Sequence, residues 1–302
     1  MSTTMQDTAK TRYVYDLDKL DQVPEGPCSA EVSARRRLSG KSTTTGPVLT
    51  GTQVLVGWMS KARGTGSKLH THPNEQFNYV VRGTLIADMD GQVFRVPAGF
   101  VVHIPAGMVH SHVSTAEEDV IFIPFKDTRH GISGPAYDGK YDGPRTLPGF
   151  GTNNRNEWSL GPDGLPIPQS PRMNKEKICY VYDIDRLDSV PEGLCSAKVT
   201  PRANVTEKSS SSSAALTGDR LQVALIHKAR GLGSKVHTQR NEQFIVVLQG
   251  TLQADIGGQT VLVPTHHAIH IPTGVAHSLV ATTEKDVVFL VAKDTRHVGP
   301  TT

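Results

Sequence analysis

Short apolar segments, separated by turn residues, fill most of the chain. Those of the first half are rich in Val, Ile, Phe and Thr and occupy residues 54–60, 77–82, 84–89, 92–96, 101–104 and 120–125. Turn dipeptides such as Arg82-Gly83 and Asp90-Gly91 divide them. Only residues 16–23 show a trace of helical periodicity. Many short strands at even spacing are typical of a sandwich or small barrel, so we predict an all-β fold.

The segments belong to a unit that occurs twice. YVYDLDKLDQVPEGPCSA at 13–30 returns as YVYDIDRLDSVPEGLCSA at 180–197, and KARGTGSKLHTHPNEQF at 61–77 returns as KARGLGSKVHTQRNEQF at 228–244. KDTRH at 126–130 returns at 293–297, so all three pairs are offset by 167 residues. A single offset without gaps indicates a duplication.

The repeat divides the chain into four parts. We expect an arm or disordered segment at 1–12, a first domain at 13–130 and a second domain at 180–297. The Gly- and Pro-rich residues 131–179 between them disfavour a helix and predict an extended or looped connector. We expect the YVYD segments to be extended arms that pair with the other domain or with a second chain. The Ser/Thr tracts 42–45 and 209–213 predict surface loops, with an active-site lid as the alternative.

Composition excludes several classes of protein. The 302 residues carry 32 Lys+Arg against 29 Asp+Glu, a net charge of +3, which is too balanced for a nucleic-acid binder. No apolar stretch approaches the ~18 residues of a membrane span, and the polar N-terminal segment does not resemble a secretory signal. The three cysteines, Cys28, Cys179 and Cys195, predict reduced, buried thiols in a cytoplasmic protein.

One cluster of residues predicts a metal site. His70 and His72 stand at the entrance to a predicted strand, and they share one face with Gln76 if that strand is continuous. His110 follows a tight turn that leads into another strand. Two imidazoles at i and i+2 with a third from a neighbouring strand suit a divalent transition metal. The weaker alternative is a set of buried polar residues bonded to one another, which is costly for three imidazoles.

These residues resemble the two motifs of the cupin superfamily. Gly64-x5-His70-x-His72-x3-Gln76-x6-Gly83 is similar to the first motif, with Gln in the usual Glu position, and Gly99-x5-Pro105-x-Gly107-x2-His110 is similar to the second. The second unit repeats both, with one histidine lost at Gln239 and with His266 in place of the opening Gly of the second motif. The resemblance covers both units and implies two tandem jelly-roll β-barrels in one chain, a bicupin.

The resemblance also implies the ligands. The first site would be His70, His72, Gln76 and His110, holding one divalent metal per chain, with Fe²⁺ favoured and Mn²⁺, Ni²⁺ or Zn²⁺ as alternatives. The positions that correspond in the second unit form a weaker set, which we expect to be impaired or empty because two of its four ligands are neutral amides: His237, Gln239, Gln243 and His277.

Glutamine in place of glutamate changes the chemistry expected of the first site. It leaves the metal its full charge, which favours a bidentate anionic ligand, and it supplies no base. A proton acceptor would have to come from His112 or His103, for which an ordinary hydrogen-bonded strand histidine is the alternative.

Other residues are candidates for substrate contact. Lys68 and Arg63 could bind a carboxylate at the barrel mouth, and Asn78 continues the ligand face of the strand. Lys68 and Arg63 recur in the second unit, which equally favours structural ion pairs. Glu75 and Glu242 have the opposite parity to the ligand Gln, and we expect them to be solvated or salt-bridged.

Fold alone leaves three functions open. The resemblance narrowly favours a non-haem dioxygenase that cleaves a C–C bond in a small enolic, phenolic or carboxylic metabolite. A redox-free Lewis-acid enzyme (isomerase, lyase or hydrolase) with Mn, Ni or Zn is nearly level, and a ligand-binding or structural bicupin without turnover is the third. The expected partners are a small-molecule substrate and, as an open alternative, a second copy in a homo-oligomer, with neither nucleic acid nor membrane.

Overall fold

The computed structural model describes residues 10–140, 143–150, 157–205 and 211–296, and these are built almost entirely from β-strands. A 3₁₀ turn at Ile184–Arg186 is the single helical element assigned within these ranges. Residues 16–23 form the end of a strand followed by turns, so the trace of helical periodicity there does not correspond to a helix. The described residues contain no helix of the length and apolarity that crossing a membrane requires.

The first unit forms barrel 1. The strands of this half of the chain are β1 (Val14–Asp16), β2 (Glu31–Arg37), β3 (Thr45–Thr50), β4 (Val54–Gly57), β5 (Met59–Lys61), β6 (Thr65–Gly66), β7 (Gln76–Arg82), β8 (Thr84–Met89), β9 (Gln92–Pro97), β10 (Phe100–Ile104), β11 (His110–Ser114), β12 (Val120–Asp127) and β13 (Arg145–Thr146). One sheet of the barrel has the antiparallel order β10-β7-β12-β4-β3-β2, with β5 pairing β12 and β3, and the facing sheet has the order β13-β6-β11-β8-β9.

The second unit forms barrel 2 on the same plan. Its sheets have the orders β23-β20-β25-β19-β18-β17 and β22-β21-β24, and the short β14 and β16 pair in parallel. Its strands are β14 (Ile178–Cys179), β15 (Val181–Asp183), β16 (Leu194–Cys195), β17 (Lys198–Asn204), β18 (Ser211–Thr217), β19 (Leu221–Lys228), β20 (Gln243–Gln249), β21 (Thr251–Ile256), β22 (Gln259–Pro264), β23 (His267–Ile271), β24 (His277–Ala281) and β25 (Val287–Asp294). The prediction of two all-β barrels is confirmed.

The two barrels exchange their first strands. β1 lies antiparallel to β23 of barrel 2, with Val14 opposite Ile269, and β15 lies antiparallel to β10 of barrel 1, with Phe100 opposite Asp183. The expectation that the YVYD segments pair with the other barrel is therefore confirmed. Each barrel has its larger sheet completed by a strand from the other unit, which protects a sheet edge that would otherwise be open.

Two glutamates reinforce this exchange. The Glu75 carboxylate accepts hydrogen bonds at 2.8 Å from the backbone N–H groups of residues 219–221 in barrel 2. Glu242 accepts from the N–H groups of residues 52–54 in barrel 1, at 2.7–2.9 Å. Both glutamates are almost completely buried, so they are not solvated. Each also contacts a histidine, His103 at 3.1 Å for Glu75 and His270 at 3.0 Å for Glu242, which corresponds to the salt-bridged alternative. Strand alternation does turn both side chains away from the face of the predicted ligands, but the other barrel lies on that side.

Glycine makes these carboxylate contacts possible. A Cβ atom on Gly218 would lie 2.0 Å from Oε1 of Glu75, and one on Gly51 would lie 2.4 Å from Oε1 of Glu242. The loops before β19 and β4 can approach the glutamates closely only because these positions have no side chain.

The apolar core has a part between the barrels and a part within each. The shared cluster contains Phe77 and Phe125 of barrel 1 together with Phe244 of barrel 2 and the arm residues Tyr15 and Tyr182. Separate clusters fill the interior of barrel 1 and of barrel 2. Because the largest cluster joins both barrels, the two units are expected to unfold as one cooperative body.

The connector packs along barrel 1. β13 adds to β6, and Arg145 donates to Asp88 at 2.9 Å and to Ser111 at 2.6 Å, all three buried. The guanidinium of Arg145 also lies 3.3 Å from the ring centroid of Trp158, a buried residue of the same connector. The predicted loop-like segment is thus a fixed cover on one barrel, held by an ion pair that is out of contact with water.

The three cysteines are free thiols, as predicted, but they are half-buried rather than buried. Cys179 and Cys195 are partners in the parallel β14–β16 pair, and burial raises the pKa of the Cys179 thiol. Their partial exposure follows from their position on the arms, which lie over the core rather than within it.

Candidate metal centre

The backbone brings two of the three histidines together directly. The N–H of His70 donates to the carbonyl of His110 at 3.0 Å, and the N–H of His110 donates back to His70 at 3.0 Å. β7 begins only at Gln76, because residues 73 and 74 form a turn after His72. The strand through the first motif is therefore interrupted. The continuous strand on which the shared face of His70, His72 and Gln76 was conditional is not formed, although the histidines still converge with His110.

Each imidazole of the set is fixed by a backbone carbonyl. Nδ1 of His70 lies 2.8 Å from the carbonyl of Lys68, that of His72 lies 2.9 Å from the carbonyl of Asn74, and that of His110 lies 2.9 Å from the carbonyl of Met108. A carbonyl can only accept, so Nδ1 carries the hydrogen in all three rings and Nε2 is left with its lone pair.

The free ring nitrogens converge. One ligand atom from each of His70, His72 and His110 lies within 4.8 Å of the others, and Nε2 of His72 is buried without a hydrogen-bond partner. A buried lone pair without a donor is costly unless something binds it. The three imidazoles thus have the properties expected of a transition-metal site: their ring nitrogens converge, they are in the tautomer that can bind a metal, and the Nε2 atom of His72 has no hydrogen-bond partner.

Burial keeps the three histidines neutral. Desolvation, followed by the nearby histidines and by Lys126, lowers the pKa of His72 to about 2 and holds that of His70 well below its usual range. Desolvation also lowers the pKa of His110 to about 4. Neutral imidazole is the form that binds metal, so the site is ready for a cation at physiological pH.

The fourth predicted ligand is oriented by its neighbour. Nε2 of Gln76 donates to Oδ1 of Asn78 at 2.6 Å, which leaves Oε1 of Gln76 available to a metal. Nδ2 of Asn78 lies 3.4 Å from Nδ1 of His112, so this ring nitrogen accepts and Nε2 of His112 carries the hydrogen. The hydrogen bonds all run in one direction, from Gln76 through Asn78 to His112.

The end of this chain is a donor. Nε2 of His112 is buried without a partner, and His112 lines the same cavity as His70, Gln76 and His110. In this tautomer His112 offers an N–H to whatever occupies the cavity, rather than the lone pair of a base. The predicted proximity of His112 and Asn78 to the ligands is therefore found, with Asn78 acting through Gln76 and His112.

The cavity is small and has no acidic wall. Its volume is about 60 Å³, enough for only a few water-sized groups. Among the described residues that line it are Lys41 and Lys61 but neither Asp nor Glu. With a divalent ion bound by neutral ligands, this cavity would be strongly positive.

Three of the predicted residues lie elsewhere. His103 is outside the cavity wall: its Nε2 donates to Glu75 at 3.1 Å and its Nδ1 lies 2.9 Å from Oγ of Ser196, so it belongs to the contact between the barrels. Lys68 forms an ion pair with Asp138 of the connector at 3.1 Å. Arg63 is exposed and also lies outside the cavity wall. Because Lys68 recurs in the second unit, a structural ion pair was the alternative to substrate contact, and the structure contains such an ion pair.

The sequence did not reveal the polar group around Lys61. Nζ of Lys61 donates to Oγ1 of Thr44 and to Oγ of Ser67, each at 2.6 Å, and lies 3.5 Å from Oγ of Ser42. Ser42 and Thr44 come from the Ser/Thr tract predicted as a surface loop, yet both are buried in the cavity wall. One sequence feature could have indicated this group: Lys61 ends an apolar strand segment, and a lysine recurs at the matching position 228.

Barrel 2 has the same backbone arrangement at the corresponding site but lacks several of the side chains found in barrel 1. His237 and His277 exchange backbone hydrogen bonds at 3.0 and 2.9 Å, like their counterparts, but His237 is exposed. The four predicted residues of the weaker site all line a cavity of about 610 Å³. Leu279 replaces His112 and Ile245 replaces Asn78, so the directed hydrogen-bond chain is lost.

Comparisons with known proteins agree with this arrangement. The cupin domain family matches residues 57–125 and 225–293, one stretch in each barrel. No curated protein matches the chain in sequence.

Solved structures with the same fold are distant in sequence. AerE from Microcystis aeruginosa is 11% identical, with a TM-score of 0.60 over 88% of this chain and 99% of its own. YlbA from E. coli is 12% identical, with a TM-score of 0.58 over 95% and 92%. Oxalate decarboxylase from Bacillus subtilis is 14% identical, with a TM-score of 0.59 over 96% of this chain and 79% of its own. At these identities the similarity establishes the architecture of the two barrels.

Proposed function

Because the chain belongs to the cupin superfamily and consists of two tandem cupin domains, we propose that barrel 1 is a metal-dependent enzyme for a small anionic, oxygen-rich metabolite. The observation that carries this proposal is the charge of the cavity. The proposed ligands His70, His72, His110 and Gln76 are all neutral, and the described wall adds the amine of Lys61 but no carboxylate. An anion is the ligand that would compensate such a site.

A divalent ion held by these residues would act as a Lewis acid on the oxygens of the substrate and would lower the pKa of bound water. The protein supplies the rest of the site. The carbonyls behind the three imidazoles fix their lone pairs, and Asn78 fixes the amide of Gln76. His112 offers an N–H donor to negative charge on the substrate.

Oxidative cleavage of a C–C bond is the first candidate reaction. Three imidazoles and one amide leave coordination positions open, so that a bidentate acid and oxygen can be accommodated together. The cavity is small, so a bound substrate would leave room for few water molecules beside it. The substrate would be a compact enolic, phenolic or carboxylic acid rather than a large one.

Redox-free chemistry is the second candidate, and a separate observation favours it. Besides the ligands, the cavity wall holds two groups that can transfer protons, His112 and Lys61. An isomerase or lyase needs such groups next to the Lewis acid, whereas oxygen chemistry does not require them. Non-catalytic ligand binding is the outcome left if neither reaction occurs.

Metal analysis and oxygen consumption decide among these functions. Protein purified without chelators should contain about one equivalent of a divalent transition metal, and a panel of small enolic, 2-oxo and dicarboxylic acids should include a substrate. Iron with substrate-dependent oxygen uptake supports the dioxygenase. Turnover that is unchanged under anaerobic conditions supports the second candidate, and a protein with neither metal nor turnover contradicts the proposal.

A further inference from the structure

The cluster formed by Lys61 with Ser42, Thr44 and Ser67 is a buried cationic site in the wall of the metal cavity. Lys61 is 2% exposed, and its ammonium group donates to hydroxyl oxygens contributed by two other segments of the chain. It also lies 5.5 Å from the ring centroid of Phe122 on β12. The ammonium is therefore fixed in position by its surroundings and is directed by them toward the cavity.

These contacts satisfy hydrogen bonds of the amine but supply no negative charge beside it. A hydroxyl group carries no net charge, so two or three hydroxyls orient an ammonium group without neutralising it. Burial lowers the pKa of Lys61 to about 7, so an anion bound beside it would favour its charged form. Two of the N–H groups are used at 2.6 Å, whereas the third has only the long contact of 3.5 Å to Ser42. That donor is available to a ligand.

We propose that Lys61 binds a carboxylate of the substrate at the end remote from the metal, so that the substrate of barrel 1 is a short dicarboxylic acid with a 2-oxo or 2-hydroxy group. This inference rests on the proposed function, because the other end of the substrate is taken to bind the metal. The cavity volume of about 60 Å³ limits the chain between the two ends to a few atoms. Lys61 is thus a specificity-determining residue.

The matched position in barrel 2 supplies the control. Lys228 is the counterpart of Lys61 and is also buried, but its cavity is about 610 Å³ and contains two imidazoles rather than three. A replacement of Lys228 makes the same chemical change in the same fold, away from the proposed site.

Binding of two small acids tests the proposal without turnover. Tartronate and L-lactate share a 2-hydroxy-carboxylate end and differ only in a second carboxylate in place of a methyl group. The full-length protein, loaded with one equivalent of Zn²⁺, is titrated calorimetrically with each acid. We expect the wild type to bind tartronate about tenfold more tightly than lactate, because a hydrogen bond to a charged partner contributes this much.

Substitutions test whether Lys61 causes the preference for tartronate over L-lactate. Lys61→Met should reduce the affinity for tartronate to about that for lactate, with the Zn²⁺ content and the affinity for lactate unchanged, and Lys228→Met should have no effect. Because a methionine among hydroxyls could disturb folding, Ser67→Ala serves as a second variant: it keeps the ammonium group, frees one of its N–H groups and should retain the preference for tartronate.

The outcomes separate this inference from the function on which it rests. The role of Lys61 is overturned if Lys61→Met loses affinity for both acids equally, or if this variant still prefers tartronate. Loss of the preference in Lys228→Met overturns it as well. If the loaded wild type binds neither acid, the proposed anionic substrate is itself contradicted and this inference falls with it. Binding of both acids without a preference overturns the inference alone.

Discussion

The two barrels share a backbone plan but differ at their centres. In barrel 1 three histidines converge beside a small cavity of about 60 Å³, whereas in barrel 2 two histidines line a larger cavity of about 610 Å³. Both barrels keep the reciprocal backbone bonds between the first and last motif histidines. The fold therefore preserves the geometry of the backbone after the side-chain set has changed.

The connector accounts for much of this difference. Its first residues run beside His70: the N–H of Thr71 donates to the carbonyl of Pro135, and Tyr137 donates to the carbonyl of Leu69. Ile132 of the same segment lines the cavity of barrel 1. The described part of the chain supplies no corresponding cover to barrel 2. A metal site in such a barrel thus depends on what closes it as well as on its ligands.

The largest difference between the barrels should appear when one predicted ligand is removed from each, because metal affinity and activity should fall in only one of the two variants. His70→Ala should lower the metal affinity of barrel 1 on the order of a hundredfold or more and reduce activity to background, because two imidazoles remain. His237→Ala, the matched substitution, should leave metal content and activity nearly unchanged. Elemental analysis of both proteins measures this. Two equivalents bound with similar affinity in the wild type would show that the ranking of the sites is wrong.

Restoring a ligand should reduce the contrast. Gln239→His gives barrel 2 the same three histidines as barrel 1, so the bound metal should rise from about one to about two equivalents. The new site should be weaker, because His237 is exposed and water competes for the ion. Competition with a chelator of known affinity measures both sites. If binding stays at one equivalent, the exposure of His237 rather than ligand count decides the difference.

The contact between the barrels should fail at low pH. Burial alone would raise the pKa of Glu242, but hydrogen bonds from His270 and from the backbone N–H groups of Thr52 and Gln53 lower it to about 2. The ionised carboxylate therefore stabilises the fold above its ordinary pKa of about 4.5, and this stabilisation is lost as the pH falls toward 2. Its size is on the order of 3 kcal/mol.

Glu242→Gln tests that assignment. The amide cannot accept from all the donors around it, so the free energy of unfolding at pH 7 should fall by about 2–4 kcal/mol and become less dependent on pH. Urea unfolding at pH 7 and pH 3 measures this, with Glu284→Gln as the control at an exposed glutamate. An unchanged stability at pH 7 would show that the carboxylate only fills space.

The smallest effect is expected at the fourth ligand. Gln76→Glu adds a negative charge beside the metal, so the ion should bind at least as tightly while an anionic substrate binds less well. The KM for an acid should rise about three- to tenfold, with a smaller change for a neutral analogue. Steady-state kinetics with such a pair measures this. Equal or better turnover of the acid would show that the neutral amide has no role in substrate choice.

The amount that the sequence predicts differs between the fold and the site. The fold follows from alternating segments and from a repeat with a constant offset of 167 residues, both of which are visible in the sequence itself. The convergence of His70, His72 and His110 follows from motif spacing. The environment of Lys61 does not, because the hydroxyls around it come from tracts whose composition is typical of a loop, and only the fold buries them.

The roles of Glu75 and His103 could not be predicted for a related reason. Strand alternation gives the face of a side chain but not what lies opposite that face. Here another barrel lies opposite, so a carboxylate that parity directs away from the ligands is buried rather than solvated. The connector behaves similarly: glycine and proline indicate the absence of a helix, and they do not indicate where an extended chain will pack.

The exchanged strands have a consequence for the order in which the protein can form. β1 is synthesised before its partner β23, and all the other strands of barrel 1 lie between them in the sequence. Until then the apolar face of the arm, with Tyr15, has no sheet to join, and closing this pair costs the entropy of a very long loop. Barrel 1 must likewise wait for β15. Nascent chains therefore pass through a stage with two unfilled sheet edges, at which a second chain can supply the missing strand.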